Sequence, residues 1–426
     1  MHGRWLAKPK IHVWDPATPP VQIAWPPAVA NVDHSCPRFL KLDPAFVNKN
    51  GNGHAFYQFN AFMVLAANNN LTAIARYNVS CDCGCNKAGI DETNDYFFGD
   101  YFSRNERFLA SGSTTYTIRV APPRGSTEQL LARIEEIMTS VRAKRQCNVV
   151  LLIHRQTMAY IKPSEANYST PSFRAAFNAQ HNRLERLKQR RVLGLASLST
   201  GARSEQPSSL RPVRIAVHIR RGEVYNNSLD PRGSKVRAHQ FGRMTPVRTY
   251  MALVKKVAHA INTDCFAGLP NRPTIEVVLA AENAKVIELG RVVSVPDLGP
   301  DDAIVRVDSL PGVSSIALAG ENVLDAFETL CFADVVIGSK SGFTALAAYL
   351  CEAPLFLTMP FWISYLYVPN VLVMTSRNTT TGEFVKFTSR DSRTTPITDS
   401  YDLDRMLLRQ KLAAYQPWCR VSGTAN

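Results

Sequence analysis

From residue 213 onward the sequence alternates short apolar strands with helical segments, and few folds accommodate that alternation. Strands are predicted at 213–219, 274–280, 334–337 and 354–358, with a short one at 303–307. Helices are predicted between them at 246–262, 283–290, 322–331 and 342–351. The pattern predicts an α/β unit with a parallel sheet covered by helices. In open sheets of this kind ligands bind beyond the C-terminal ends of the strands. The residues that follow each strand are therefore the ones to read for function.

Two strand ends stand out. Strand 213–219 runs through His218 into Arg220, Arg221, Gly222 and Glu223. The glycine permits a sharp turn, and two guanidinium groups at a strand end suit a ligand with more than one phosphate. The second is Ile337-Gly338-Ser339-Lys340-Ser341-Gly342-Phe343, where a short strand meets a helix. Small residues let a backbone approach a ligand, and Ser hydroxyls with helix N–H groups bond phosphate. Lys340 adds charge there. An N-capping Ser at an ordinary strand-to-helix turn is the plainer reading. If the two strands are near neighbours, Arg220 and Arg221 face the Ser339–Gly342 turn.

The first half is organised differently. Residues 1–50 are a proline-rich, irregular lead-in. Gly51-Asn52-Gly53-His54 then opens a helix-like segment, 55–68, with Phe56, Phe59, Phe62, Met63, Ala66 and Ala67 at helical spacing. A glycine turn feeding a helix favours anions. A strand follows at 71–77, and helices at 127–144 and 172–191 flank another at 149–154. The Ser-rich stretch 195–211 reads as a linker. A chain of 426 residues exceeds one typical core. We expect domains at 51–205 and 206–400, with 401–426 carrying a helix, 403–415, that reaches back onto the first domain. Tyr57, Tyr96, Phe97, Phe98 and Tyr101 read as either a binding surface or core.

A net charge of +14 favours anionic partners. The basic residues are spread out, and no zinc-finger spacing or RNA-recognition signature accompanies them, which disfavours nucleic acid. The nine cysteines do not form a disulfide scaffold for this length. Cys81, Cys83 and Cys85 make a close cluster of paired or free thiols, too tightly spaced for an ordinary metal site. Cys331 and Cys351 read as small core residues. The single Asp-x-Asp, Asp402 to Asp404, opens the last helix, where acidic residues belong, so no metal site is expected. No apolar run approaches the about 18 residues that span a bilayer, and Met1 to Lys10 lack a signal core. The chain reads as soluble, in a cytoplasm or, if an anchor has been removed, a Golgi lumen. Asn-x-Ser/Thr sequons stand at Asn70, Asn78, Asn167, Asn226 and Asn378 and matter only where a glycosylation machinery is met.

The ordered trio of Gly51-Asn52-Gly53-His54, His218-Ile219-Arg220-Arg221-Gly222-Glu223 and Ile337 to Phe343 resembles the GDP-fucose-dependent fucosyltransferases. The group is the α1,2-, α1,6- and protein O-fucosyltransferase superfamily, with an H-x-R-R-G-D motif followed by an S-x-S-x-F turn. The resemblance implies a GT-B architecture, two Rossmann-like domains facing a central cleft. It implies metal-independent, inverting transfer of L-fucose from GDP-fucose, as donor substrate and with no cofactor, to a glycan or glycoprotein acceptor. Carried over by position, Arg220 or Arg221 binds the β-phosphate and stabilises departing GDP. His218 and Gly222 place the nucleotide. Ser339, Lys340, Ser341, Gly342 and Phe343 hold the pyrophosphate, and Asp325 contacts guanine or ribose. Gly51, Gly53 and His54 line the opposite wall.

Glu223 stands where the family motif carries Asp, one methylene longer. Glu223, Asp91, Glu92, Asp95 and, more distantly, His239 are all open as the proton-accepting base. Two other readings remain beside the fucosyl one. One is a GT-B enzyme using GDP-mannose or a UDP-sugar; the other is a non-catalytic glycan- or nucleic-acid-binding protein on the same fold.

Overall fold

The computed structural model describes residues 35–43, 69–76, 87–118, 127–154, 212–220, 247–267, 272–281, 285–288, 291–294, 313–318, 323–351, 354–359, 370–376 and 401–419. Positions 56, 59, 62, 63, 65, 66, 78, 177, 245 and 269 are described singly. Within them the chain is an α/β protein on two parallel sheets.

The first sheet has four strands in the order β2-β1-β4-β3. They are β1 (Arg38–Leu42), β2 (Thr72–Ile74), β3 (Thr114–Ile118) and β4 (Val149–Ile153). All its pairs are parallel, with Leu42 opposite Ile153. Helices α1 (Lys87–Phe97) and α2 (Thr127–Ala143) belong to its crossovers. Residues 56, 59, 62, 63 and 66 are helical and buried, as the spacing predicts, and so is Leu65.

The second sheet holds six strands, β12-β11-β10-β5-β6-β9. They are β5 (Val213–Ile219), β6 (Ile275–Ala281), β9 (Val313–Leu318), β10 (Val335–Gly338), β11 (Leu355–Thr358) and β12 (Val371–Val373). All are parallel. Numbered by appearance this is 3-2-1-4-5-6, the doubly wound order, and its direction reverses between β5 and β10. A parallel sheet must be covered on both faces. Val213, Ile215, Val217 and Ile219 pack on one face with α3 (Val247–Ala260). Ala216, Ala280, Val336 and Phe356 pack on the other, with α4 (Val323–Phe332) and α5 (Gly342–Leu350).

That second face is also where the halves meet. Phe97 lies edge-on to Phe327 of α4 at 4.9 Å, and Tyr96 and Phe177 meet the same ring. Phe56 stacks on Tyr349 of α5 at 5.5 Å. Tyr96, Phe97 and Phe98 are core. Among the described residues no helix is long and apolar enough to cross a membrane.

Several expectations are corrected. The 283–290 helix is a hairpin, β7 (Lys285–Glu288) against β8 (Arg291–Ser294), antiparallel, with Glu288 opposite Arg291. Val286, Ile287, Val292 and Val293 are β-branched, which suits strands. The third strand of the sheet is Val313–Leu318, whereas 303–307 lies outside the described residues. Among the described residues, helix α6 (Arg405–Tyr415) packs on the second half. Its Leu408 and Leu412 join the α3-side core of the second sheet, and Arg405 holds Asp264 at 2.6 Å. Asp404 caps it, accepting from Leu407 N–H at 3.0 Å.

Cys331 and Cys351 are bonded to each other rather than packed as thiols. Cys36–Cys147 and Cys265–Cys419 are also disulfides. The apolar surroundings concealed the pairing, because α4 and α5 bring the two sulfurs together only in the folded chain. Cys81, Cys83, Cys85 and the 195–211 linker lie outside the described residues.

Candidate functional site

The two motif-bearing strands are hydrogen-bonded neighbours, with Val217 opposite Ile337. Their ends therefore lie side by side at the C-terminal edge, where the strand order reverses. Arg220 follows β5 directly, and its Nη1 donates to Ser341 Oγ at 3.0 Å. Ser341 caps α5, and the same oxygen accepts from Phe343 N–H at 3.1 Å. Both lone pairs of that hydroxyl are engaged, which leaves its proton as its remaining hydrogen-bonding function.

His218 is buried on the α5 face of β5. Its Nδ1 lies 2.7 Å from Thr344 Oγ1 and 2.9 Å from Ser339 Oγ. Burial, and next the charge of Arg220, push its pKa down to about 3. The ring is neutral at physiological pH. Nδ1 thus meets two hydroxyls, each of which can donate or accept. Phe343 packs 5.4 Å from this ring, and Phe327 packs 5.7 Å from Phe343.

Gly338 makes the arrangement possible. A Cβ there would lie 2.2 Å from Thr344 Cγ2. Without one, the first turn of α5 settles over the strand, and Thr344 reaches across to His218.

The other expected residues are placed as follows. Ser339, Ser341 and Gly342 are buried in the turn. Lys340 is also buried, with Nζ 5.8 Å from the centre of the Tyr401 ring. Tyr401 belongs to the α3-side core, so Lys340 packs across the sheet edge from His218. Asp325 stands in the first turn of α4, the helix that supplies Phe327. Asp91 and Asp95 are exposed on α1, and Glu92 is half-buried. Gly51, Gly53, His54, Arg221, Gly222, Glu223 and His239 lie outside the described residues.

A guanidinium, Ser and Thr hydroxyls and a helix N-terminus thus converge at one sheet edge. That combination favours an anion, through charge-assisted bonds and the positive end of the helix dipole.

No family model matches the chain, and no curated protein does. Solved structures do. An Arabidopsis thaliana FUT1 variant in complex with GDP is 11% identical over 78% of this chain and 73% of its own, at a TM-score of 0.35. POFUT1 in complex with GDP-fucose is 9% identical over 77% of this chain and 99% of its own, at 0.38. The NodZ α-1,6-fucosyltransferase crystallised with GDP is 12% identical over 74% and 93%, at 0.29. At these values the functional reading stands on the site's own residues.

Sequence reasoning missed Thr344, whose role depends on a contact across the sheet edge. The only signal for it was its position in the first turn of α5. Asp43 and His154 were missed too. They follow the adjacent strands β1 and β4, and His154 Nε2 lies 3.9 Å from Asp43 Oδ2 at the C-terminal edge of the first sheet.

Proposed function

We propose that the protein is a GT-B glycosyltransferase that transfers L-fucose from GDP-fucose, with inversion and without a metal, to a glycan or glycoprotein hydroxyl. The observation that supports this most is the Arg220–Ser341 bond at the switch point, which joins the two phosphate-suited strand ends into one site. In this reading the donor diphosphate lies against Arg220, Arg221 and the Ser339–Phe343 turn. The Arg220 charge offsets the negative charge that grows on GDP as the sugar leaves, a large catalytic contribution when donors are preorganised. His218, neutral and tied to two hydroxyls, holds the turn in register with β5. Gly51, Gly53 and His54 close the opposite wall, Asp325 reads the nucleoside, and Glu223 is a candidate base.

The test is thermal-shift titration with GDP, UDP and GDP-fucose, followed by a transfer and donor-hydrolysis assay. GDP and GDP-fucose should stabilise the protein and UDP should not. A charge-assisted bond contributes about 1.5–3 kcal/mol, so Arg220→Ala should weaken GDP roughly 10- to 100-fold. Stabilisation by UDP alone would replace the fucosyl reading with another nucleotide sugar. No nucleotide binding by the folded protein would leave a non-catalytic binder.

A further inference from the structure

The disulfides and one sequon together carry an inference independent of the transferase reading. Six cysteines are paired among the described residues, across separations of 111, 154 and 20 positions. Each bond ties elements that meet only in the folded chain. Cys36 and Cys147 precede the central strands β1 and β4. Cys265–Cys419 fastens the segment after α6 to the end of α3, and Cys331–Cys351 joins α4 to α5. Such bonds form and persist in oxidising compartments and are rare where glutathione and thioredoxin keep thiols reduced. In eukaryotic cells that environment is also where asparagine-linked sugars are added.

Of the two sequons among the described residues, Asn70-Leu71-Thr72 is the better presented. Asn70 is exposed and sits at φ 52°, between the helical residues around 66 and the start of β2. Asn is among the few residues that tolerate this left-handed backbone. The turn is fixed by its neighbours. Leu71 N–H donates to Ala66 O at 2.9 Å, and Asn69 Nδ2 donates to Leu65 O at 2.8 Å. Leu71 is buried, which anchors the turn from below. The Asn70 side chain takes no part in these bonds, so derivatising its Nδ2 disturbs nothing that holds the turn. Thr72 opens β2, which among the described residues is an edge strand paired with β1 alone. The sequon therefore lies at the N-terminal edge of the first sheet, away from the C-terminal strand ends. Asn78 is a poorer acceptor. It is half-buried, and its Oδ1 accepts from the buried Asn94 at 3.1 Å. Asn167, Asn226 and Asn378 lie outside the described residues.

We propose that Asn70 is an N-glycosylation site of a chain that matures in an oxidising secretory compartment. The co-reactant is an oligosaccharide joined through C1 to a lipid diphosphate. The C1–O bond to the diphosphate breaks and a C1–Nδ2 bond forms. The lipid diphosphate leaves with the electron pair, and one Nδ2 proton is lost to a base of the transferring enzyme.

The test is expression of the full chain through the secretory pathway of a eukaryotic cell. Peptide mapping before and after an amidase that removes N-glycans, and converts the carrier asparagine to aspartate, reads the site. Wild type and Thr72→Ser should carry the glycan on the peptide containing Asn70. Thr72→Ala and Asn70→Asp should lose it and still fold, since the turn bonds of Asn69 and Leu71 use neither altered side chain. Non-reducing mapping of the same sample should find Cys36–Cys147, Cys265–Cys419 and Cys331–Cys351. An unmodified Asn70 in a chain whose disulfides have formed overturns the site. Free thiols at those six cysteines in the folded protein overturn the compartment.

Discussion

Replacing Gly338 by Ala tests the local design of the site most directly. The new methyl would meet Thr344 Cγ2 at 2.2 Å, far inside van der Waals contact. Thr344 cannot simply rotate away, because its Oγ1 holds His218 Nδ1 at 2.7 Å in a region with no exposure. Either α5 lifts from the sheet or that bond breaks. Overpacking of a tight core costs about 1–3 kcal/mol, and a lost buried hydrogen bond about 1 kcal/mol more. Gly338→Ala should therefore destabilise by about 2–4 kcal/mol in urea unfolding. Thr344→Ser removes the offending methyl and keeps the hydroxyl; alone it should cost about 1 kcal/mol for a buried methyl. In the double variant the next atoms are Thr344 Cβ at 3.3 Å and Oγ1 at 3.4 Å, a fit that needs only a small shift. The pair should then be less destabilised than the sum of the singles by about 1–2 kcal/mol, with part of any lost GDP affinity restored. Additive behaviour, or a Gly338→Ala protein within about 0.5 kcal/mol of wild type, would refute this account of the glycine.

Three further outcomes are expected. His218 titrates near 6.5 when unfolded and near 3 when folded, so the unfolded chain binds the extra proton and stability falls as pH drops through that window. By pH 5 the loss from this residue is about 2 kcal/mol, and unfolding curves of His218→Phe should lack this component. The Cys331–Cys351 bond closes a 20-residue separation around β10 and its turn. The double Ala variant should lose about 3 kcal/mol by the chain-entropy estimate, and its melting temperature should drop accordingly. Thr358 is fully buried, and its hydroxyl has no partner among the described residues. Thr358→Val should thus be neutral or stabilising by about 1 kcal/mol; a large destabilisation would show that the hydroxyl is bonded after all.

Much of the second half was legible because its strands are short, apolar and punctuated. β5, β10 and β11, with α3, α4 and α5 between them, fall within a residue or two of the segments read from periodicity. The Arg220 and Ser341 pair was legible as two separate strand ends. Their bond was not, because adjacency of β5 and β10 is a property of topology and nothing local specifies it. The hairpin at 285–294 was misread because a short apolar run around Val286 and Ile287 satisfies helical and extended spacing alike. The last helix was misassigned for a related reason. Leu408 and Leu412 give α6 an apolar face without naming the surface it covers. Cys265–Cys419 and the Arg405–Asp264 pair, which hold it on the second half, join residues more than a hundred positions apart.

The two faces of the second sheet explain why the site forms at this particular edge. On the α3 side every inward residue of β5 is β-branched, and α3 packs directly on those side chains. On the other side β5 and β6 contribute Ala216 and Ala280, over which α4 packs, and β10 ends in Gly338, where the first turn of α5 comes close. The absent Cβ at Gly338 lets Thr344 lie against the strand end, and the Arg220–Ser341 bond sets the α5 N-terminus beside the end of β5. His218 occupies the one position on that face where a polar ring can meet both Ser339 and Thr344. Arg220, two residues on, then leaves the strand on the same side and reaches Ser341. The site thus depends on the glycine that ends β10 and on the alanines beneath α4. Enlarging Ala216 or Ala280 should push α4 outward and, through its packing on α5, loosen the Arg220–Ser341 bond, although neither residue takes part in it.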